Sequence, residues 1–400
     1  MKSFNFFKIK FKFLSVPIFQ SAFLFLIISH SSAQSVMQNS FEAGTYIGKV
    51  VKNYPYFPDR NNSFLFNASW YKKLNGKKAW HRKYFYPEVP VHIWYGDLGN
   101  KKVLGKIFGV NSGFRFTQTL SNKFALNEQT LFGAAYFTKP YNEKNNPENI
   151  TIGYAVTPLA SARLSLEYFI NPYISVMANY GVLHASNGHY QLPNLGINLP
   201  VFGLSFRYKP YPATLIQDKK DSVVVNKKIH FAARLSLGHN EQGASTGPVN
   251  GPKYPVYLAS FYIHRNYSSI TKYHAGIEGY YNTGVYDFIT SQDYYQNKQR
   301  EKSFAGLIFL GNEFLFGHVS MVTQGGLYLY NPFYHDRYKQ LYIDGDTKAW
   351  LKTWLTARFG FQYYLKDATI HTRHNFFAGW YVKTNFGQAD FMEVSAGYLF

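Results

Sequence analysis

The sequence contains no cysteine, so disulfide bonds and thiol chemistry are both excluded. After its first 33 residues it also lacks any run of about 18 apolar residues, which excludes a transmembrane helix. Acidic residues are few, with 22 Asp and Glu against 42 Lys and Arg, and the net charge is +20. Because basic residues lie in turns such as Lys72–Lys73, rather than along a helix, the charge does not indicate a nucleic-acid partner. Two interpretations remain: attraction to anionic lipid head groups, or a solvated basic surface.

Aromatic residues, by contrast, are abundant. They make up 20% of the chain, with 37 Phe and 35 Tyr, and they are typical of β-strands and of the interfacial girdles of membrane barrels. The mean hydropathy of −0.26 is too low for a helical membrane protein. It suits a β-barrel, because half of each strand then faces a polar interior.

The amino terminus has the features of a secretion signal. Four lysines lie within the first 12 residues, an apolar stretch spans 16–28, and small residues occupy 31–33. This order predicts a signal peptide over residues 1–33, with cleavage before Gln34. An uncleaved membrane anchor is the alternative, but the apolar stretch is short and is interrupted by Pro17 and Gln20.

Residues 34–400 are predicted to form one all-β domain, a transmembrane antiparallel β-barrel. Alternating segments separated by turn-rich stretches predict about sixteen strands, with fourteen as the alternative. The last segment alternates up to an aromatic carboxy-terminus, Phe400, which resembles the closing strand that the barrel-assembly machinery recognises in outer-membrane proteins. The predicted strands are 40–50, 62–73, 89–97, 103–118, 123–138, 158–170, 173–186, 198–209, 229–239, 254–265, 271–286, 301–312, 318–330, 350–365, 373–384 and 388–400.

Loop lengths agree with a barrel in a bacterial outer membrane. If the last strand ends on the periplasmic side, the long polar loops at 139–157, 240–253, 287–300 and 331–349 all lie outside. The turns on the other side at 170–172, 266–270, 313–317 and 366–372 are short, as expected of outer-membrane barrels. The exception is 210–228, a charged segment that we interpret as a long periplasmic linker.

One group of polar residues is predicted on the outer wall of the barrel. His184 and Ser186 are two apart in a strand, so their side chains share a face, and the alternation of their strand places that face outward. Asn198 shares the outward face of the next strand. A serine beside a histidine suggests a nucleophile and its base, and Asn187 and Asn194 could then stabilise an oxyanion. The alternative is a set of polar residues that only rim the barrel.

The pattern His184-x-Ser186-Asn187, followed by Pro193-Asn194-x-Gly196-x-Asn198, resembles the signature of the PagL-like lipid A 3-O-deacylase, or acyloxyacyl hydrolase, family. The deacylase-like region covers 103–209. The resemblance implies an outer-membrane barrel that removes an ester-linked acyl chain from lipid A or lipopolysaccharide without a cofactor. It also implies roles for four residues: Ser186 as nucleophile, His184 as base, and Asn187 and Asn194 at the oxyanion site.

Two departures from the family pattern stand out. The predicted barrel is much longer than the small barrels of the family, and Asn198 occupies the position of the family's glutamate. An amide can orient the histidine ring but supplies no charge to stabilise the imidazolium. Glu241, predicted on the outward face one strand beyond Asn198, is either a compensating acid or a carboxylate at a loop base. His189, in the loop, is predicted to be exposed and uninvolved.

Three functions therefore remain: an ester hydrolase, a catalytically silent barrel, or a channel lined by Arg163, Glu167 and Arg207. The 13 histidines are scattered without the spacing of zinc sites, so no metal site is predicted.

Overall fold

The computed structural model describes residues 39–211, 225–341, 347–370 and 374–400. The predicted signal peptide lies outside these residues, as does most of the linker at 210–228. Within them, sixteen β-strands form two closed antiparallel barrels of eight strands each. The first barrel consists of β1 (Asn39–Gly48), β2 (Ser63–Lys73), β3 (Glu88–Asp97), β4 (Lys106–Thr119), β5 (Phe124–Phe137), β6 (Val156–Phe169), β7 (Ile174–Ala185) and β8 (Ile197–Tyr208). The second consists of β9 (His230–Glu241), β10 (Lys253–Asn266), β11 (Thr271–Asn282), β12 (Phe304–Phe316), β13 (Val319–Tyr330), β14 (Leu355–Tyr364), β15 (Asn375–Asn385) and β16 (Gln388–Leu399).

The all-β class and the count of sixteen strands are confirmed, but the strands do not close as one barrel. β8 returns to pair with β1, with Ser205 opposite Gly44, so the first barrel is complete before residue 210. β9 then pairs with β16 instead of β8, with Leu237 opposite Val394. Period-two alternation reports which face of a strand is apolar, and it does not report which strand pairs with which.

The interior of the first barrel is filled by paired charges. Arg163 contacts Glu42 at 2.8 Å, Arg115 contacts Glu167 at 2.9 Å, and Arg207 lies 3.7 Å from the same Glu167 carboxylate. All five side chains are buried. An eight-stranded barrel is just wide enough for inward side chains to fill it. The residues that we expected to line a channel therefore occupy the barrel interior as ion pairs.

The second barrel is filled in the same way. Glu278 accepts from Arg234 at 2.9 Å and from Arg358 at 2.7 Å, and Lys383 lies 3.1 Å from Asp390. In the described parts of the chain, neither barrel encloses the wide channel that a sixteen-stranded closure would create. The channel interpretation is therefore not supported by this architecture.

The two ends of the barrels differ, as the sequence predicted. One end, which we call the loop end, carries the longer connections; the other carries mostly short turns. Four helices lie at the loop end: α2 (Thr283–Ser291) and α3 (Gln299–Lys302) precede β12, and α4 (Pro332–Leu341) and α5 (Thr347–Trp354) precede β14. The predicted strands 271–286 and 350–365 were therefore too long, because α2 begins at Thr283 and α5 extends to Trp354. The linker between β2 and β3, at the opposite end, contains the short helix α1 (Ala79–Lys83). No helix in the described residues is long and apolar enough to cross a membrane.

The outer walls of the two barrels touch through aromatic rings. Phe114 of β4 stacks on Phe316 of β12 with ring centroids 4.1 Å apart, and Phe132 of β5 meets Phe361 of β14 edge to face at 4.7 Å. Elsewhere the outward face is apolar and exposed, for example at Phe202 of β8. This is the reverse of a soluble barrel, because the charges lie inside and the aromatic residues lie outside.

Candidate active site

The polar group predicted on the outer wall lies at the loop end of β7 and β8. His184 stands directly opposite Asn198 in the strand pairing, and Ser186 follows β7 immediately. All three side chains are half-buried on the outward face. Their neighbours Leu183 and Ala185 point inward and belong to the apolar core of the barrel. Because side chains alternate between the two faces of a strand, the polar residues point outward and the apolar residues point inward.

Asn198 orients the His184 ring. The Nδ1 atom of His184 lies 2.8 Å from the Oδ1 atom of Asn198. Since an amide oxygen only accepts hydrogen bonds, Nδ1 carries the ring proton and donates it to Asn198. In the neutral ring the lone pair is then on Nε2, which is the tautomer a general base requires.

Ser186 receives hydrogen bonds from the loop that follows it. Asn194 Nδ2 donates to Ser186 Oγ at 2.9 Å, and the Gly188 N–H approaches the same oxygen at 3.4 Å. The position of a Cβ atom on Gly196 would be 3.4 Å from both the Ser186 Cβ and the His184 Cε1. The serine and the imidazole therefore flank the same glycine, whose positive φ of 73° disfavours a side chain.

Asn187 supports the loop through its own bonds. Its backbone N–H donates to Asn194 Oδ1 at 3.1 Å, which directs the Nδ2 of Asn194 toward Ser186. Its side chain donates to the Gln191 carbonyl at 2.7 Å and accepts from the Gln191 N–H at 3.3 Å. The structure thus brings Ser186 and Asn194 together, whereas the Asn187 side chain is bound to the loop backbone.

Glu241 is not adjacent to Asn198. Because β9 belongs to the second barrel, Glu241 does not lie one strand beyond Asn198, contrary to the sequence-based expectation. Its side chain is fully buried, and its carboxylate accepts from the Leu192 N–H at 2.8 Å and from Lys253 Nζ at 2.7 Å. In this arrangement it holds loops together, as expected of a carboxylate at a loop base and not of a compensating acid.

His189 also differs from the prediction, because it is buried instead of exposed. Its Nε2 atom lies 3.2 Å from the Gly243 carbonyl of the second barrel. Burial lowers the pKa of His189 below its ordinary value, so the ring is neutral at neutral pH. A loop histidine between Gly188 and Tyr190 gave no sequence signal of this burial.

Two contributors to the site were not named from the sequence. Gly188 supplies a backbone N–H at the serine; the sequence indicated backbone donors in this glycine-containing loop but did not single out Gly188, whose φ is 60°. Ser245, in the loop between β9 and β10, accepts the Asn194 N–H at 2.7 Å through its carbonyl. No local sequence pattern indicates that contact. Among the described residues, no group of His, Cys, Asp or Glu side chains is arranged to hold a metal ion.

Comparison with protein families identifies both barrels. The family model of lipid A 3-O-deacylase (PagL) matches residues 65–208, and that of the acyloxyacyl hydrolase C-terminal domain matches residues 229–400. The chain belongs to the PagL-like family. The first match covers β2 to β8 and includes the whole candidate site, whereas the second covers β9 to β16. The boundary between the two matches therefore coincides with the boundary between the barrels.

Comparison with solved structures returns β-barrel proteins at low similarity. The β domain of the Bordetella autotransporter Brka is 10% identical, covering 92% of this chain and 99% of that one, with a TM-score of 0.24. A de novo designed transmembrane β-barrel is 13% identical, covering 45% of this chain and 99% of that one, with a TM-score of 0.23. Among curated proteins no sequence matches significantly. The family assignment accordingly depends on the sequence models.

Proposed function

We propose that the protein is an outer-membrane serine esterase that removes an ester-linked acyl chain from lipid A or lipopolysaccharide. The observation that supports this most directly is the Ser186 hydroxyl bonded by the Asn194 amide, with the oriented His184 ring on the other side of Gly196, within the residues that the deacylase family model matches. Phe400 at the end of the closing strand is consistent with delivery by the barrel-assembly machinery.

In the first half of the reaction, Ser186 Oγ attacks the ester carbonyl carbon while its proton passes to His184 Nε2. The carbonyl π electrons move onto oxygen and form a tetrahedral oxyanion. Asn194 Nδ2 and the Gly188 N–H, both beside Oγ, donate to that oxyanion. His184 then returns the proton to the departing sugar oxygen, the ester C–O bond breaks, and an acyl-serine remains.

In the second half, water attacks the acyl-serine and gives its proton to His184. The new tetrahedral intermediate collapses, Ser186 Oγ takes the proton back, and the fatty acid leaves as the free acid. Asn198 holds the imidazole by its Nδ1 proton through both halves. No step needs a metal ion or a cofactor.

The outer wall beneath the site suits an acyl chain. Tyr180 of β7 and Phe202 of β8 are exposed on the same outward face as His184, with ring centroids 4.8 Å apart. An acyl chain in the membrane can lie along this wall with its ester at Ser186, while the sugar head group stays at the loop end. Substrate then reaches the site from the bilayer without being extracted into water.

Mass spectrometry of lipid A from bacteria with and without the expressed protein tests this function. We expect the lipid A mass to fall by one hydroxyacyl chain, and the mass lost identifies which chain is removed. Lipid A of unchanged mass, in cells whose membranes contain the folded protein, would contradict the hydrolase and favour the catalytically silent barrel.

Substitution of Asn198 by glutamate is expected to raise the rate of hydrolysis by about tenfold, which is about 1.4 kcal/mol of transition-state stabilisation. A carboxylate at this position would accept the His184 Nδ1–H as Asn198 does and would also stabilise the imidazolium. Deacylation rates of purified Asn198→Glu and Asn198→Ala proteins provide the measurement. Equal rates for both variants and the natural protein would show that Asn198 does not act through His184.

A further inference from the structure

The loop that follows Ser186 is held by both barrels. Its last residues are bound to the first barrel, where the Leu195 N–H donates to the Ile150 carbonyl at 3.2 Å and the Gly196 N–H to the Thr151 carbonyl at 2.9 Å. Its central residues are bound to the second barrel. There the Asn194 N–H donates to the Ser245 carbonyl at 2.7 Å. Asn194, whose side chain donates a hydrogen bond to Ser186, is therefore attached to the second barrel through its backbone.

Glu241 joins the two loops at this contact. One carboxylate oxygen, Oε2, accepts from the Leu192 N–H of the Ser186 loop at 2.8 Å and from Lys253 Nζ at 2.7 Å. The other, Oε1, accepts from the Gly251 N–H in the loop that carries Ser245. The carboxylate is fully buried, so each of these bonds is made without competition from water.

The second barrel makes two further contacts with the loop that follows Ser186. The Glu241 N–H donates to the His189 carbonyl at 3.1 Å, and a side chain on Gly188 would collide with Met392 of β16. Residues 188–194 thus have the second barrel as their support, at the point where two of them, Gly188 and Asn194, reach Ser186 Oγ.

We propose that the second barrel positions the reactive loop of the first, with Glu241 as the positioning residue that carries most of this support. The catalytic consequence depends on the proposed function. Oxyanion donors act only when they stand at hydrogen-bond distance from the reacting oxygen, and a displacement of about 1 Å can lower a rate about 100-fold. Glu241 touches none of the reacting atoms and acts through Leu192 and the Ser245 loop.

A paired replacement tests this without leaving a buried charge unpaired. Glu241→Met with Lys253→Met removes both charges and all the carboxylate acceptors while keeping similar volumes, an exchange that buried ion pairs often tolerate. The control is Glu313→Met with Lys272→Met, a Lys–Glu pair 3.3 Å apart whose carboxylate is also buried, at the opposite end of the same barrel. Altered mobility of unheated samples on gels verifies that each full-length protein is folded.

Two measurements are made on each protein. Hydrogen exchange of peptides covering 186–194 is expected to become about tenfold faster in the Glu241 pair variant and to stay unchanged in the control. The kcat for a soluble short-chain ester is expected to fall at least tenfold while KM changes less than twofold, because the loop positions donors for the transition state and not for ester binding.

The two measurements separate two kinds of failure. Natural exchange rates at 186–194 in a folded Glu241 pair variant would overturn the positioning role, whatever the activity. An equal loss of kcat in the control would also overturn it, because general damage to the barrel would then explain the effect. A natural protein that hydrolyses no ester would instead contradict the proposed function, while the exchange result still decides whether the second barrel holds the loop.

Discussion

Ser186→Ala is expected to lower the rate of lipid A deacylation by about 10⁴-fold or more, because the acyl-enzyme can no longer form. The change removes one oxygen from a half-buried residue outside the barrel core, so membrane insertion and heat-dependent gel mobility should match those of the natural protein. The measurement is release of free fatty acid from purified lipid A, with single-turnover kinetics in detergent.

Ser112→Ala is the matched control for this prediction. Ser112 is also a half-buried serine on the outer wall, on β4, and its hydroxyl donates only to the Pro90 carbonyl at 2.6 Å. We expect its rate to stay within twofold of the natural protein. Full activity in Ser186→Ala would show that another group carries the acyl chain or that water attacks the ester directly.

His184→Ala is expected to lower the rate by about 10⁴-fold, since general-base catalysis contributes about 10²–10⁴ and the serine hydroxyl is a weak nucleophile without it. If the two residues act as a unit, the Ser186→Ala, His184→Ala double variant is no slower than either single variant. The rates of all four proteins, measured on the same lipid A, give the coupling between the two positions.

His239→Ala supplies the control for the histidine. His239 is half-buried on β9 of the second barrel, and neither of the hydrogen bonds that Ser186 Oγ receives, from Asn194 and from Gly188, involves it. Its rate should equal that of the natural protein. Independent effects of the Ser186 and His184 substitutions that multiply in the double variant would contradict a shared catalytic step.

Local patterns in the sequence predicted much of the wall that carries the site. The alternation along β7 and β8 placed His184 and Asn198 on the outward face, and the structure sets them opposite each other with a 2.8 Å hydrogen bond. This succeeds because side-chain direction in a strand depends only on the parity of the residue. The turn residues likewise marked where strands end, although the helices within two of the predicted loops gave no comparable signal.

Closure of the barrels was decided by contacts between residues far apart in the chain. The pairing of β1 with β8 joins residues separated by more than 150 positions, and no pattern in the sequence of either strand indicates its partner. The volume of the inward side chains decides it instead, because large buried residues such as Arg115 and Tyr71 fill an eight-stranded interior. A wider barrel with the same sequence would move the Arg115 charge away from the carboxylate of Glu167.

The sequence by itself therefore determined the strands, their faces and the chemical identity of the outward residues, since each depends on neighbours along the chain. Only the tertiary structure decided which strands close on each other and what surrounds the loop after Ser186. Glu241 illustrates the difference, because its parity predicts an outward-facing acid and the structure buries it against Leu192 and Lys253. A side chain that points away from one barrel becomes buried where a second barrel lies beside it. The position of that second barrel depends on contacts between residues far apart in the chain.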